Sequence, residues 1–268
     1  MNWIFRLNIA LRTVKDSWKI SLILTLIFMG MAGMYCAAYT AFEGSLDDMF
    51  SMFEGEFAFL RGFEHMSTYP GFLTMELYEI FWILILGMLL GFLAASLISK
   101  EVEGKTIDLL MSNPVSRKQL VVEKYLGLIP FILLINGATM LTIFGVTAAI
   151  GQELNVGYLV MTHIVSIPYF LAIAGMGLLV SVIIDEKMKA SMITIAIIIG
   201  MYIFESISLL LPDYESIGYL SLTHYYIPAD ILIEGHVDAL GVVVLVLVAF
   251  ICLIASMVYF DHRNIVVT

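Results

Sequence analysis

Charged side chains are scarce in this sequence. Lysine, arginine, aspartate and glutamate together make up 13% of its 268 residues, while hydrophobic residues make up 61%. A soluble domain carries about 25% charged residues, so this composition excludes an ordinary soluble protein and predicts a membrane protein. The formal net charge of −10 also argues against binding to nucleic acid.

Cysteine is nearly absent. The two cysteines, Cys36 and Cys252, lie inside apolar runs and offer neither a disulfide framework nor a zinc-ligand spacing, so we expect two small buried hydrophobic side chains. The N-terminus lacks a short apolar stretch with a small-residue cleavage site, which predicts no removable signal peptide. His163, His224 and His236 fit no HExxH or Cys/His pattern, so a metal site is not predicted.

Six long apolar runs dominate the sequence. A hydrocarbon core about 30 Å thick is crossed by about 20 mostly apolar residues in a helix. The runs predict an all-α integral membrane protein with a single transmembrane domain over residues 1–268. The predicted spans are residues 20–42, 77–99, 125–150, 158–184, 190–211 and 241–260.

The basic residues are distributed unevenly between the two sides of these spans. Twelve of the thirteen lysines and arginines fall on one side, and only Arg61 falls on the other. Because basic residues accumulate in cytoplasmic segments, both termini and the connection between spans two and three are predicted to be cytoplasmic.

Three segments outside the spans are also predicted to form helices. Residues 1–19 carry apolar side chains at helical spacing with basic groups mostly on the other side, which predicts an interfacial amphipathic helix; a simple basic flank is the alternative. Residues 43–76 and 212–240 lie outside the cell, are too apolar for disordered loops and are too short to span. We expect short helices at the outer membrane surface there, after spans one and five.

The connection between spans two and three contains the sequence Gly104-Lys105-Thr106, which looks like the end of a nucleotide-binding loop. That loop requires an earlier glycine five residues before Gly104, where Ser99 stands, and a preceding strand. A predicted membrane span precedes it instead. The stretch is therefore not predicted to bind a nucleotide.

Residues 100–124 predict a helix–break–helix elbow. Gly104 weakens the preceding helix, Thr106 can cap a short new helix, and Pro114 ends that helix because the residue before a proline disfavours the helical conformation. Ser116 and Gln119 then form a capping box at the start of the next helix. The elbow leaves four apolar side chains that need burial, unless the segment folds back on its own span ends: Ile107, Leu109, Leu110 and Met111.

The elbow sequence "KEVEGKTIDLLMSNPVSRKQLVVEKYLG" resembles the signature of type-two ABC exporter permeases. Nearly the whole chain is similar to that family, including "LTHYYIPADILIEG" after span five. The resemblance implies that the elbow is a coupling helix, which docks on a separate ATPase subunit. The residues that would carry this coupling are Glu101, Glu103, Gly104, Thr106, Ile107, Asp108, Leu109, Leu110, Met111, Pro114, Ser116 and Arg117.

The same resemblance implies the rest of the assembly. ATP and magnesium would bind the ATPase subunit rather than this chain, two ATPase subunits would serve two permease copies, and a homodimer is favoured over a heterodimer. The complex would export its cargo across the cell membrane. That cargo would be a drug, a peptide, a lipid, a saccharide or a species used in metal-centre maturation.

Some residues inside the spans are further candidates. Gly87 and Gly91 form a GxxxG pair that allows close helix approach, either between two copies along the cargo path or within one subunit. Glu205, His163 and Asn136 are polar groups inside spans, which are costly there and are expected to face protein or a cavity. Glu205 is a candidate for the cargo path; alternatively, it pairs with a partner or reaches the outer membrane interface.

Two other classes of function remain open from the sequence. An ATP-independent channel or carrier would explain the six spans but not the elbow. An intramembrane enzyme could use the histidines and Glu205, although no catalytic spacing is present.

Overall fold

The computed structural model describes residues 8–44, 65–107 and 115–263. In these residues the chain is helical and has no strands. The long helices are α1 (Asn8–Phe42), α2 (Tyr69–Glu103), α3 (Arg117–Leu126), α4 (Ile129–Ile150), α5 (Val156–Ile183), α6 (Lys187–Leu210) and α7 (Ala239–His262). Among the described residues, six helical stretches are long and apolar enough to cross a membrane, with Arg117–Ile150 counted as one, and this confirms the predicted all-α membrane fold.

Helix α1 is one continuous helix of 35 residues. The predicted division between an interfacial helix over 1–19 and a span over 20–42 is therefore not found within residues 8–42. No glycine or proline interrupts the sequence before Gly30, so nothing breaks the helix. At 1.5 Å per residue it is about 52 Å long, so part of it extends beyond the hydrocarbon core.

Helix α2 begins eight residues earlier than the predicted span. Thr68 caps it by accepting a hydrogen bond from the backbone N–H of Gly71 at 3.2 Å, and Pro70 occupies its first turn, where a missing N–H does no harm. The helix is wound more widely, as a π-helix, from Thr74 to Leu86. The spacing of the apolar residues in the sequence does not predict this π-helix.

The third span is divided near its start. Helix α3 ends at Leu126 and α4 begins at Ile129 with Pro130 in its first turn, so this proline lies at a junction between two helices. Helices α5, α6 and α7 agree with the predicted spans to within three residues at each end. The expected short helices after α6 are present at Pro212–Leu220, Leu222–Tyr225 and Asp230–Glu234.

Helix α5 is the centre of the bundle. It is the most buried of the spans and packs between α2 on one side and α7 on the other. Its glycines permit this: a side chain at Gly177 would collide with the backbone of Gly91, and one at Gly175 would crowd Ala249. Helices α1 and α4 form a pair at the edge of the bundle.

Candidate functional site

The C-terminal end of α2 is closed by a Schellman motif. The N–H of Thr106 donates to the carbonyl of Glu101 at 2.9 Å, and the N–H of Lys105 donates to the carbonyl of Val102 at 3.0 Å. The left-handed residue that this motif requires is Lys105, with φ of 55°, whereas Gly104 keeps a right-handed conformation. The sequence pointed to Gly104, so the bend lies one residue later than the glycine suggested.

Glu101 holds the end of α2 against α3. Its Oε1 accepts a hydrogen bond from Nζ of Lys124 at 2.6 Å, in an ion pair whose lysine side chain is only 2% exposed. The Thr106 hydroxyl donates to the other carboxylate oxygen. Thr106 therefore binds back to α2; residues 108–114, which it was predicted to cap, lie outside the described residues.

Glu103 reaches a different helix. Its carboxylate accepts a hydrogen bond from the backbone N–H of Lys187 at 2.8 Å, at the first residue of α6. A carboxylate at a helix N-terminus satisfies an otherwise unpaired N–H and interacts favourably with the helix dipole. Glu103 thus connects the end of α2 to the start of α6.

Ile107 lies inside the chain. It is 1% exposed and belongs to an apolar cluster with Ile98, Leu120 and Val121. The expectation that a partner subunit covers it is therefore not needed. The other predicted coupling residues of the short helix lie outside the described residues: Asp108, Leu109, Leu110, Met111 and Pro114.

The second arm of the elbow is α3. Ser116 caps it by accepting from the N–H of Gln119 at 3.1 Å, as the sequence predicted. The Gln119 side chain does not complete the capping box, because it donates to Glu123 instead, at 2.7 Å.

Arg117 and its neighbour join α3 to the end of α7. The Arg117 guanidinium donates to the carbonyl groups of Phe260 and Arg263 and lies 5.8 Å from the centre of the Phe260 ring. Lys118 pairs with Asp261 at 3.1 Å. The elbow is thus fixed to the bundle by its own side chains on both flanks of residues 108–114.

Glu123 was not singled out from the sequence. It is completely buried, and its Oε2 accepts hydrogen bonds from the backbone N–H groups of Ile9 at 2.9 Å and Ala10 at 3.3 Å. These donors are 113 and 114 residues away along the chain. No local sequence pattern signals a contact of that separation.

The GxxxG pair is used within the subunit. A Cβ atom at Gly91 would lie 2.6 Å from Ile198 and 3.1 Å from Thr194 of α6, and one at Gly87 would lie 3.5 Å from the Tyr169 hydroxyl of α5. Of the two predictions for these glycines, the structure supports packing inside one chain rather than a face between copies.

Glu205 lines a small cavity near the C-terminal end of α6. The cavity lies between α2, α6 and the segment that follows α6, and its free volume is about 20 Å³, enough for one water-sized group. Glu205 is 6% exposed and Glu79, from the π-wound part of α2, is 7% exposed. The other polar lining residues are Tyr202, Ser206, Thr223 and Tyr226.

His224 joins this site from the short helix Leu222–Tyr225, which follows α6. Its Nδ1 lies 3.1 Å from Oε2 of Glu205, and its ring contacts the rings of Tyr219 and Tyr225. Gly218 allows the segment after α6 to pack closely against that helix, since a Cβ atom at position 218 would lie 2.6 Å from the hydroxyl oxygen of Ser208. The carboxylate of Glu205 in α6 is therefore paired with a residue of the segment that follows this helix.

A second polar network lies deeper in the bundle. His163 contacts the Tyr78 hydroxyl at 2.9 Å through Nε2 and the Asn136 carbonyl oxygen at 3.2 Å through Nδ1. Ser166 donates to that same oxygen at 2.6 Å. These groups satisfy one another, as buried polar groups in a membrane must.

In the part of the chain that the structure describes, no group of three His, Cys, Asp or Glu residues is placed to hold a metal ion. Cys36 is buried and Cys252 half-buried, both as free thiols. The family described as "ABC-2 family transporter protein" matches residues 8–265. No curated protein matches the chain.

Proposed function

Because the chain belongs to the ABC-2 transporter family, we propose that it is the membrane-spanning permease of an ATP-driven exporter. The match over residues 8–265 carries this proposal. Family membership implies association with an ATPase subunit and a place in the membrane as a multi-pass protein. In the proposed complex, ATP and magnesium bind that subunit, and this chain supplies the path for the cargo.

The proposed docking surface is the elbow. Its two flanks are fastened to the bundle by Glu101, Glu103 and Arg117, so a force applied to residues 108–114 would reach α2, α3, α6 and α7 rather than bend a loose loop. This arrangement supports a segment that receives force from a partner. Asp108, Leu109, Leu110 and Met111 remain proposed contacts on the strength of the motif.

The proposed assembly contains two permease copies, as a homodimer, with two ATPase subunits. The cavity beside Glu205 holds one water-sized group, far less than any cargo of the expected classes, so one closed copy offers no route through this site. A path between two permease copies would provide the route for the cargo that one copy lacks. Since Gly87 and Gly91 pack inside the chain, the two copies would meet through other faces, and Glu205 is proposed to lie beside the path.

We expect Leu110→Asp to lower ATPase association strongly, because a charge would enter an apolar docking groove unpaired. Leu211→Asp, an exposed leucine after α6, is the control for adding a carboxylate. The measurement is co-purification of the ATPase subunit with each permease, and the mass of the wild-type complex gives the copy number. Equal recovery with Leu110→Asp and wild type would show that this helix is not the docking surface.

The proposed location is the cell membrane, with both termini in the cytoplasm. A cysteine at Ser116, which is exposed at the start of α3, should react with an impermeant maleimide only after the cytoplasmic side is opened. A cysteine at Glu153, exposed between α4 and α5, should react in intact cells. We expect this labelling pattern because twelve of the thirteen basic residues lie on the side predicted to be cytoplasmic. The reverse labelling pattern would contradict the proposed orientation.

A further inference from the structure

Glu123 joins two helices that are remote in sequence. It is completely buried, and one of its carboxylate oxygens accepts the N–H groups of Ile9 and Ala10 while the other accepts from Gln119. The N–H groups of a first helical turn have no partner within their own helix. A carboxylate on α3 therefore caps the N-terminus of α1, and the helix dipole strengthens that contact.

A close steric fit surrounds this contact. Gly127, one turn after Glu123, has no side chain where Thr13 of α1 packs, and a Cβ there would lie 2.7 Å from the Thr13 Cβ. The Thr13 side chain is also buried. The first turns of α1 thus rest directly on the junction between α3 and α4.

Adjacent residues of α3 hold different helices. Glu123 binds α1, and Lys124 binds the end of α2 through Glu101. Consecutive residues of a helix point about 100° apart, so α3 lies between these two helices and touches both. Helix α1 otherwise packs mainly on α4 at the edge of the bundle.

From this geometry we infer that Glu123 is a positioning residue, which makes α1 follow any displacement of the elbow. The inference rests on the proposed function, because the displacement would come from the ATPase subunit. A charged acceptor with two backbone donors in a dry site forms a strong and directional connection. The pair α1–α4 would then move with α3 as one unit.

The experiment is hydrogen exchange of the complete permease with its ATPase subunit in lipid discs, with and without a non-hydrolysable ATP analogue. In the wild type, the analogue should change exchange both in the elbow and in the first turns of α1. Glu123→Leu removes the cap, so exchange in residues 9–14 should become about 2- to 30-fold faster. In this variant the elbow should still respond to the analogue, but α1 should not.

Three further variants make the result specific. Glu123→Gln keeps an acceptor oxygen for α1 and should restore the response of α1. Ile9→Pro removes the closer donor from the α1 side, at a position near the helix start where proline is tolerated, and should weaken the response without changing α3. Asp238→Ala is the matched control, since that carboxylate caps α7 at the end of the helix remote from Arg117; it should speed exchange near Leu240 and leave the response of α1 intact.

The inference and the proposed function fail in different ways. If both the elbow and α1 still respond to the analogue in Glu123→Leu, Glu123 does not position α1. The same conclusion follows if Ile9→Pro leaves the response of α1 unchanged. If the wild-type permease retains no ATPase subunit, the proposed function is wrong.

Discussion

Glu101→Ala is expected to lower the stability of the permease by about 3–5 kcal/mol, because it leaves the buried Lys124 ammonium group without its carboxylate. The change also removes the acceptor of the Thr106 hydroxyl. For a chain of this size we expect a fall of about 6–20 °C in the thermal midpoint. Thermal unfolding of purified permease in detergent, followed by tryptophan fluorescence, measures this.

A double replacement separates the cost of an unpaired charge from the value of the pair. Removing both charges, as in Glu101→Leu with Lys124→Met, should restore most of the midpoint, because apolar groups of similar volume often replace a buried ion pair without loss. An Arg12→Ala change removes a partner from an exposed pair with Asp16 and should alter the midpoint by little. If Glu101→Ala unfolds at the wild-type temperature, Lys124 does not depend on this carboxylate.

Gly177→Ala is expected to destabilise the bundle by about 1–3 kcal/mol through overpacking. The added methyl group would lie 2.8 Å from the carbonyl oxygen of Gly91 and 3.1 Å from the backbone nitrogen of Ala95. Backbone atoms cannot rotate away, so α2 and α5 would have to separate. Chemical unfolding in mixed micelles, compared with the wild type, measures the loss.

The matched control is Gly145→Ala on α4. A Cβ there meets nothing within 4 Å, so the same methyl group should be neutral or slightly stabilising, since alanine favours a helix more than glycine does. The stability of Gly91→Ala should lie between those of the Gly177 and Gly145 variants, because the added methyl group collides with the flexible end of the Ile198 side chain. Equal stability of the Gly177 and Gly145 variants would mean that α2 and α5 are not in close contact at this level.

The membrane fold was predictable because hydropathy acts over whole spans. The ends of α5, α6 and α7 were located to within three residues for that reason. Ser116 was recognisable as a cap from four neighbouring residues. The continuity of α1 was missed because a change from basic to apolar composition suggests a boundary, although only a helix-breaking residue or a competing contact creates one.

The connections within the site could not be predicted, because they join residues that are far apart in the sequence. Lys124 meets Glu101 across 23 residues, and Glu123 meets Ile9 across 114. Gly87 and Gly91 allow close packing in any context, so their spacing could not tell a second copy from α5 and α6. The left-handed residue fell on Lys105 because the Schellman geometry sets its place from the last helical turn, and the adjacent glycine did not move it.

The two carboxylates at the end of α2 respond differently to the medium. Glu103 is exposed where it caps α6, so dissolved ions reach this contact and screen it. Glu101 and Lys124 form their contact where the lysine side chain is 2% exposed and the glutamate side chain 14% exposed, so screening is weaker there. Ionic strength is therefore expected to act on the elbow selectively: concentrated salt should weaken the contact of Glu103 with the start of α6 and leave the pair between α2 and α3 largely unchanged.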